Sequence, residues 1–207
     1  MATARPAWQH GRMEIRRLCV FCGSNSGKDP VYAKSAVALG KTLVRRELEL
    51  VYGGGSIGLM GILADTVLEA GGRVVGIIPR ALARREVAHT GLSEIHLVDD
   101  MHTRKARMEE LADAFVALPG GYGTLEELFE VVTWAQLGLH RKPVGLLNPA
   151  GYFDGLLGCI DSAVAEGFIK PVHRRLLVAG AEPDALLDAL QRHQPPEVEQ
   201  WIREGET

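Results

Sequence analysis

Apolar runs too short to make a helix alternate along this chain with longer segments in which apolar residues recur every three to four positions. The runs lie at 18–21, 48–52, 74–78, 95–98, 114–118, 144–147 and 176–178. Helical periods occupy 31–46, 59–70, 102–112, 125–139, 153–166 and 184–192. The segment from 125 shows the rule: Leu125, Leu128, Phe129, Val132, Ala135 and Leu139 share one broad face. Seven strand-like runs separated by helices amount to repeated β-α-β units, which build a parallel sheet covered on both sides. The pattern predicts an α/β, Rossmann-like doubly wound fold with a mostly parallel seven-stranded sheet and helices on both faces. No linker, repeat or low-complexity stretch divides the chain. One domain is expected over 15–192, between a disordered leader (1–14) and a polar, proline-interrupted tail (193–207).

In open sheets of this kind, ligands bind beyond the carboxyl ends of the strands. Glycine clusters fall at three such ends: CGSNSG (22–27), YGGGSIG (52–58) and PGGYGT (119–124). Three glycine turns meeting at one edge make Gly23, Ser24, Gly54 and the third turn, with Tyr122, candidate ligand contacts. Gly53, Gly55 and Gly58 also match the G-x-G-x-x-G of a dinucleotide site. They follow the second apolar run, however, and the strand after them ends in Ile78-Pro79-Arg80, where an acid would hold a ribose hydroxyl. A backbone turn open to a mononucleotide explains the stretch better than NAD or NADP.

Charge and cysteine usage narrow the setting. A net charge of −3 argues against a general nucleic-acid surface. No run of 18 apolar residues exists to span a membrane, and the N-terminus lacks the apolar stretch of a secretory signal. Three cysteines, an odd number, fit a reducing, cytoplasmic compartment. Cys19 and Cys22 spell C-x-x-C inside an apolar strand-like run, where residues three apart point to opposite faces. Buried thiols are expected there, not a redox or metal pair.

The third turn carries the chemistry. Gly120, Gly121 and Gly123 leave backbone N–H groups uncovered before a helix that Thr124 is expected to start. Such groups at the positive end of a helix dipole suit phosphate. Thr124-Leu125-Glu126-Glu127 fits a capping box, with Glu127 reaching back to the turn. A carboxylate one turn past a phosphate cradle also reaches the attached sugar, where it stabilises positive charge at the anomeric carbon or directs a water. Glu130 reads as a surface or dimer-facing residue. In DDMHTRKARMEE (99–110), Asp99 or Asp100 can cap a helix whose first turns hold Arg104 and Lys105. Cations there oppose the dipole, and a locally unfavourable arrangement beside a phosphate turn points to anion binding. Arg104 can offer its planar donor fork to phosphate or ribose oxygens. His102 is a base by type only. No serine elbow and no metal-ligand spacing is present.

PGGYGTLEE (119–127) resembles the PGG-x-GT-x-x-E signature of the Lonely Guy (LOG) family, and MHTRKARM (101–108) resembles its second block. VFCGS, VYGGGSIGLMG, VTWAQLG and KPVGLLN are similar to family segments in the same order, so the resemblance runs from residue 15 to 190. LOG proteins are phosphoribohydrolases that release an N6-modified adenine, a cytokinin, from its riboside 5′-monophosphate and leave ribose 5-phosphate. The resemblance implies a catalytic pair of Arg104 and Glu127, a phosphate loop at 120–124, and further substrate contacts from Lys105, Glu86 and Thr133. It implies no cofactor, and a homodimer formed through helices near the site. The older family label, lysine decarboxylase, would need a pyridoxal-bearing lysine, and none is singled out. Related folds carry molybdenum cofactor without turning it over, so a nucleotide or cofactor carrier is the alternative. After Glu86, the segment VAHTGLSEIHLVDD departs from plant-like members beside the base pocket.

Overall fold

The seven apolar runs, rich in valine and other residues that fit a pleated, buried surface, all become strands. The structure, a computed structural model, describes residues 8–9, 12–83 and 88–198. A short antiparallel ribbon of β1 (Trp8–Gln9) and β2 (Arg12–Met13) comes first. It lies within the segment read as a leader; Met13 and Ile15, two residues apart, both turn into the core. The main strands are β3 (Arg17–Phe21), β4 (Glu49–Tyr52), β5 (Val74–Pro79), β6 (Glu94–Val98), β7 (Ala114–Ala117), β8 (Val144–Leu147) and β9 (Leu177–Gly180). All pair in parallel, in the order β6-β5-β4-β3-β7-β8-β9.

The helices are α1 (Pro30–Arg45), α2 (Gly58–Glu69), α3 (Arg80–Ala83), α4 (Met101–Leu111), α5 (Tyr122–Gln136), α6 (Asp154–Ala165), α7 (Pro171–Arg174) and α8 (Pro183–Arg192). Six follow the helical periods read from sequence. The other two, α3 and α7, span four residues each and are too short to show a period. One sheet face packs Val20, Leu50 and Val74 against Leu39 of α1, Leu63 of α2 and Leu190 of α8. The opposite face packs Phe21, Val75 and Phe115 against Met108 of α4, Leu128 of α5 and Ile160 of α6. Cys22 belongs to the first face and Cys19 to the second. Both are free and buried, and burial pushes both thiols up from their ordinary pKa. Among the described residues, no helix is long and apolar enough to cross a membrane.

The chain winds outward from β3 to β6, then returns to lay β7 on the other side of β3. The order therefore reverses between β3 and β7, the switch point beyond whose strand ends ligands bind in sheets of this kind. Two of the glycine turns leave from those two strands, and the third leaves from β4 next door.

His140, which sequence did not single out, ties α5 to the sheet. Its buried ring donates through Nε2 to the Val131 carbonyl at 2.8 Å, and its Nδ1 accepts from the Lys142 N–H at 3.1 Å. One donor and one acceptor require the neutral ring, and burial holds its pKa down at about 4. In the unfolded chain a histidine titrates near 6.5. Acid therefore protonates the unfolded state first, and stability present above pH ~6.5 is lost as pH falls toward about 4, by up to about 3 kcal/mol. The urea midpoint should drop across that window. His140→Gln should be less stable at pH 7 and show a flatter decline; an equally steep decline in the variant would assign the effect to other groups.

Candidate active site

The third glycine turn is joined to the first by backbone. The Gly23 N–H donates to the Pro119 carbonyl at 3.0 Å, and the Leu59 N–H at the start of α2 donates to the Gly23 carbonyl at 3.0 Å. The second turn closes against the first through Gly58, whose φ is +61° and whose Cβ, if present, would lie 2.3 Å from the Ser24 carbonyl carbon. Tyr52 holds the second turn from below, its hydroxyl donating to the Gly55 carbonyl at 3.1 Å. Gly23, Ser24, Gly54 and the PGGYGT turn are thus gathered at one edge, Ser24 exposed at its rim.

The capping box spelled by Thr124 and Glu127 does not form. Helix α5 begins at Tyr122 with Gly121 as N-cap, and no side chain caps it. Thr124 is the third helical residue and is buried, packed where a Cβ on Gly120 would fall 2.1 Å from its Oγ1. The glycines let the chain enter the helix two residues before Thr124. The first intrahelical bond runs from the Leu125 N–H to the Gly121 carbonyl. The earlier N–H groups have no acceptor within the helix, and the Cβ positions of Gly121 and Gly123 meet open space. An uncapped helix start with side-chain-free approach has the geometry and the dipole sign that suit an anion. Tyr122 stands beside it, 94% exposed.

Glu127 instead meets Arg104. On α4, Asp100 is the N-cap, accepting from the Thr103 N–H at 2.7 Å. This places Arg104 in the first turn, reaching back across the sheet edge. Its Nε donates to the Ile77 carbonyl at 3.1 Å, and its Nη1 lies 3.0 Å from Glu127 Oε1. Its Nη2 rests on Gly53, where a Cβ would lie only 2.0 Å away. The fork expected to face phosphate is thus largely occupied by Glu127 and a backbone carbonyl. Only 11% of the Arg104 side chain and 10% of the Glu127 side chain are exposed. Burial raises the Glu127 pKa above its ordinary value, and the Arg104 charge offsets part of that rise.

Lys105, the next residue, bridges the other two carboxylates of α5: Nζ lies 2.5 Å from Glu126 Oε1 and 2.9 Å from Glu130 Oε1. Glu130 is therefore a partner of Lys105 within the same chain. The three carboxylates of this helix are divided between two neighbouring cations on α4. Thr133 lies further along α5, exposed, with its hydroxyl on the Phe129 carbonyl at 2.7 Å, and is not gathered with the glycine turns. His102 is exposed. Glu86 lies outside the described residues.

Two features of the site were missed from sequence. The Ile77 carbonyl is backbone and leaves no signal. Tyr152 donates its hydroxyl to the Gly120 carbonyl at 2.6 Å. It sits in NPAGYFD, directly after the run at 144–147, and that turn-rich stretch at the same sheet edge could have marked it.

Comparison with known proteins bears on this geometry. A family profile described as "Possible lysine decarboxylase" matches residues 60–190. The cytokinin riboside 5′-monophosphate phosphoribohydrolase LOG7 of Arabidopsis thaliana is 54% identical over 184 residues, which is 89% of this chain and 85% of that protein. This chain belongs to the LOG family. Another member, the probable phosphoribohydrolase LOGL9 of Oryza sativa subsp. japonica, is 56% identical over 181 residues, covering 87% of this chain and 80% of that one. The molybdenum cofactor carrier protein of Chlamydomonas reinhardtii superposes with a TM-score of 0.64 at 19% identity, over 86% of this chain and 98% of the other. That likeness establishes the shared fold. The decarboxylase description does not suit the LOG chain's site. Burial alone would ease deprotonation of Lys105, but its hydrogen bonds to Glu126 and Glu130 outweigh burial and raise its pKa. An ammonium clamped in this way is a poor amine for a pyridoxal imine.

Proposed function

We propose that the protein hydrolyses the N-glycosidic bond of N6-modified adenosine 5′-monophosphates, releasing the free base and ribose 5-phosphate. The observation that carries this reading is the buried Arg104–Glu127 pair one helical turn beyond an uncapped, glycine-lined N-terminus. The N–H groups of the α5 start bind the 5′-phosphate. Phosphate binding, remote from the bond that breaks, fixes the ribose so that its anomeric carbon faces Glu127. As the C–N bond lengthens, positive charge develops on the sugar, and the Glu127 carboxylate stabilises it in a site with little competing water. Water adds to the anomeric carbon; the base leaves with the bonding electron pair and takes up a proton. Arg104 keeps Glu127 charged and aimed. The scheme uses no metal or organic cofactor.

LOG7 is named as a cytokinin riboside 5′-monophosphate phosphoribohydrolase, and its identity to this chain supports the same substrate class here. Incubation of the purified protein with isopentenyladenosine monophosphate and with AMP should yield free base from at least the first. Binding of both without release of either base would defeat the enzymatic reading and favour a carrier, the second reading that the fold admits.

The working unit is a homodimer in this reading. Helix α5 leaves Phe129 exposed beside the site, while Trp134 packs against the core. A C2 pair is the commonest closed assembly, and a monomeric mass by light scattering at micromolar concentration would contradict it. The free cysteines of the described chain fit a reducing, cytoplasmic setting.

A further inference from the structure

Tyr152 touches neither Arg104 nor Glu127, yet its hydroxyl donates to the Gly120 carbonyl at 2.6 Å, within the phosphate turn. We propose that this bond selects the orientation of the peptide between Gly120 and Gly121, so that the Gly121 N–H faces the substrate's phosphate. Tyr152 is then a positioning residue for phosphate binding. The inference rests on the reading of 120–124 as a phosphate loop.

The argument begins with peptide geometry. In a planar trans peptide the C=O and N–H point in opposite directions, so fixing one fixes the other. This peptide has glycine on both sides, and with no Cβ on either flank it can rotate to the opposite orientation at little steric cost. The rotated form would turn the Gly120 carbonyl, a partial negative charge, toward the anion. No side chain within the turn can prevent this. A Cβ on Gly120 would collide with Thr124 and with the Gly23 nitrogen, and Gly121 faces the open cradle. The lock has to come from another element. A hydrogen bond on the carbonyl also polarises the peptide and strengthens its N–H as a donor.

The loop after β8 is shaped to deliver that hydroxyl. Asn148 anchors it: its N–H donates to the Gly180 carbonyl at 2.8 Å, its Oδ1 accepts from the Phe153 N–H at 2.6 Å, and its Nδ2 donates to Asp154 Oδ1 at 2.8 Å. Ala150 adopts a left-handed φ of +51°, uncommon for a residue other than glycine. The Tyr152 ring is held edge-on by Tyr32 of α1, with centroids 5.5 Å apart, and by Phe153, 4.9 Å apart. Tyr32 in turn rests on Gly27, at the end of the first glycine turn. Tyr152 nevertheless stays 40% exposed. Its side chain is therefore placed at the cradle, not spent on filling the core.

The test is Tyr152→Phe, which deletes one hydroxyl and keeps both ring contacts. Calorimetry with ribose 5-phosphate and with inorganic phosphate, together with steady-state kinetics on isopentenyladenosine monophosphate, reads the effect. The expected result is a roughly three- to tenfold rise in Kd for ribose 5-phosphate and in KM. The kcat should change less than about twofold, because the catalytic pair is untouched. The ligand-free melting midpoint should stay within about 2 °C, which a merely structural role would not allow. Equal Kd and KM in variant and wild type would overturn the inference while leaving the functional reading intact. A wild-type protein that binds no ribose 5-phosphate would overturn both. A measurement independent of any variant is the Gly121 amide in 15N-labelled wild type. Its proton should shift downfield when ribose 5-phosphate is added, and an unmoved Gly121 signal under saturating ligand would overturn the inference.

Discussion

Glu127→Gln is expected to lower turnover of isopentenyladenosine monophosphate by roughly 10²–10⁴-fold while leaving ribose 5-phosphate affinity within about threefold. The amide fills the same volume and still offers Arg104 an oxygen, so the 3.0 Å contact can persist without the negative charge. What disappears is the charge that opposes the cation developing on the sugar. The phosphate cradle is backbone and lies outside the substitution, so binding survives. The pH profile carries a second check. Burial raises the Glu127 pKa, only partly offset by Arg104. The carboxylate is needed ionised, so kcat/KM should fall as pH drops, with a midpoint above the ordinary glutamate value of ~4.3. A carrier would show neither effect: its ligand affinity would be unchanged by Glu127→Gln, and there would be no turnover to lose.

The second large effect is expected from a residue with no functional group. Gly53→Ala should reduce kcat by about 10²-fold, the loss that follows when a reacting or orienting group is misplaced by about 1 Å. The added methyl would sit 2.0 Å from Arg104 Nη2, so the guanidinium must leave its berth. Leaving breaks the bond to the Ile77 carbonyl and the pairing with Glu127 together. Glu127 would then be buried without its cation, and the acid limb of kcat/KM should move to higher pH. That shift separates displacement of Arg104 from general damage. If kcat falls while the acid limb stays in place, Gly53 acts through the fold and not through Arg104. Arg104→Lys offers a comparison, since an ammonium cannot serve the Ile77 carbonyl and Glu127 in the same planar arrangement.

The sheet and the glycine turns were legible in sequence because both rest on local signals. Alternation of valine-rich runs with helical periods predicts seven strands, and β8 at Val144–Leu147 matches its run residue for residue. Glycine clusters at strand ends mark where side chains must be absent. The entry of α5 was misread because Thr124 and Glu127 have capping-box spacing, while the choice between a cap and an ion pair was decided by Arg104, on a different helix. Lys105 reads in sequence as a cation for a bound anion, and its pairing with Glu126 and Glu130 is hidden for the same reason: the two carboxylates lie 21 and 25 positions away. Tyr152 and His140 act on backbone carbonyls that are remote in sequence, 32 and 9 residues away, and no periodicity encodes such contacts.

The central strand β3 acquires its neighbours at very different stages of synthesis. Arg17 meets Glu49, 32 residues on, but the Asp113 that caps its other flank comes 96 residues later. A nascent chain emerging at about 5–20 residues per second keeps one side of that strand unpaired until β7 leaves the ribosome. Pairings this distant in sequence also slow folding, and a bare strand edge invites adhesion between chains. A fragment ending just before Ala114 would hold two glycine turns and Arg104, lack Glu127, and present a sticky half-sheet to the cell's chaperones.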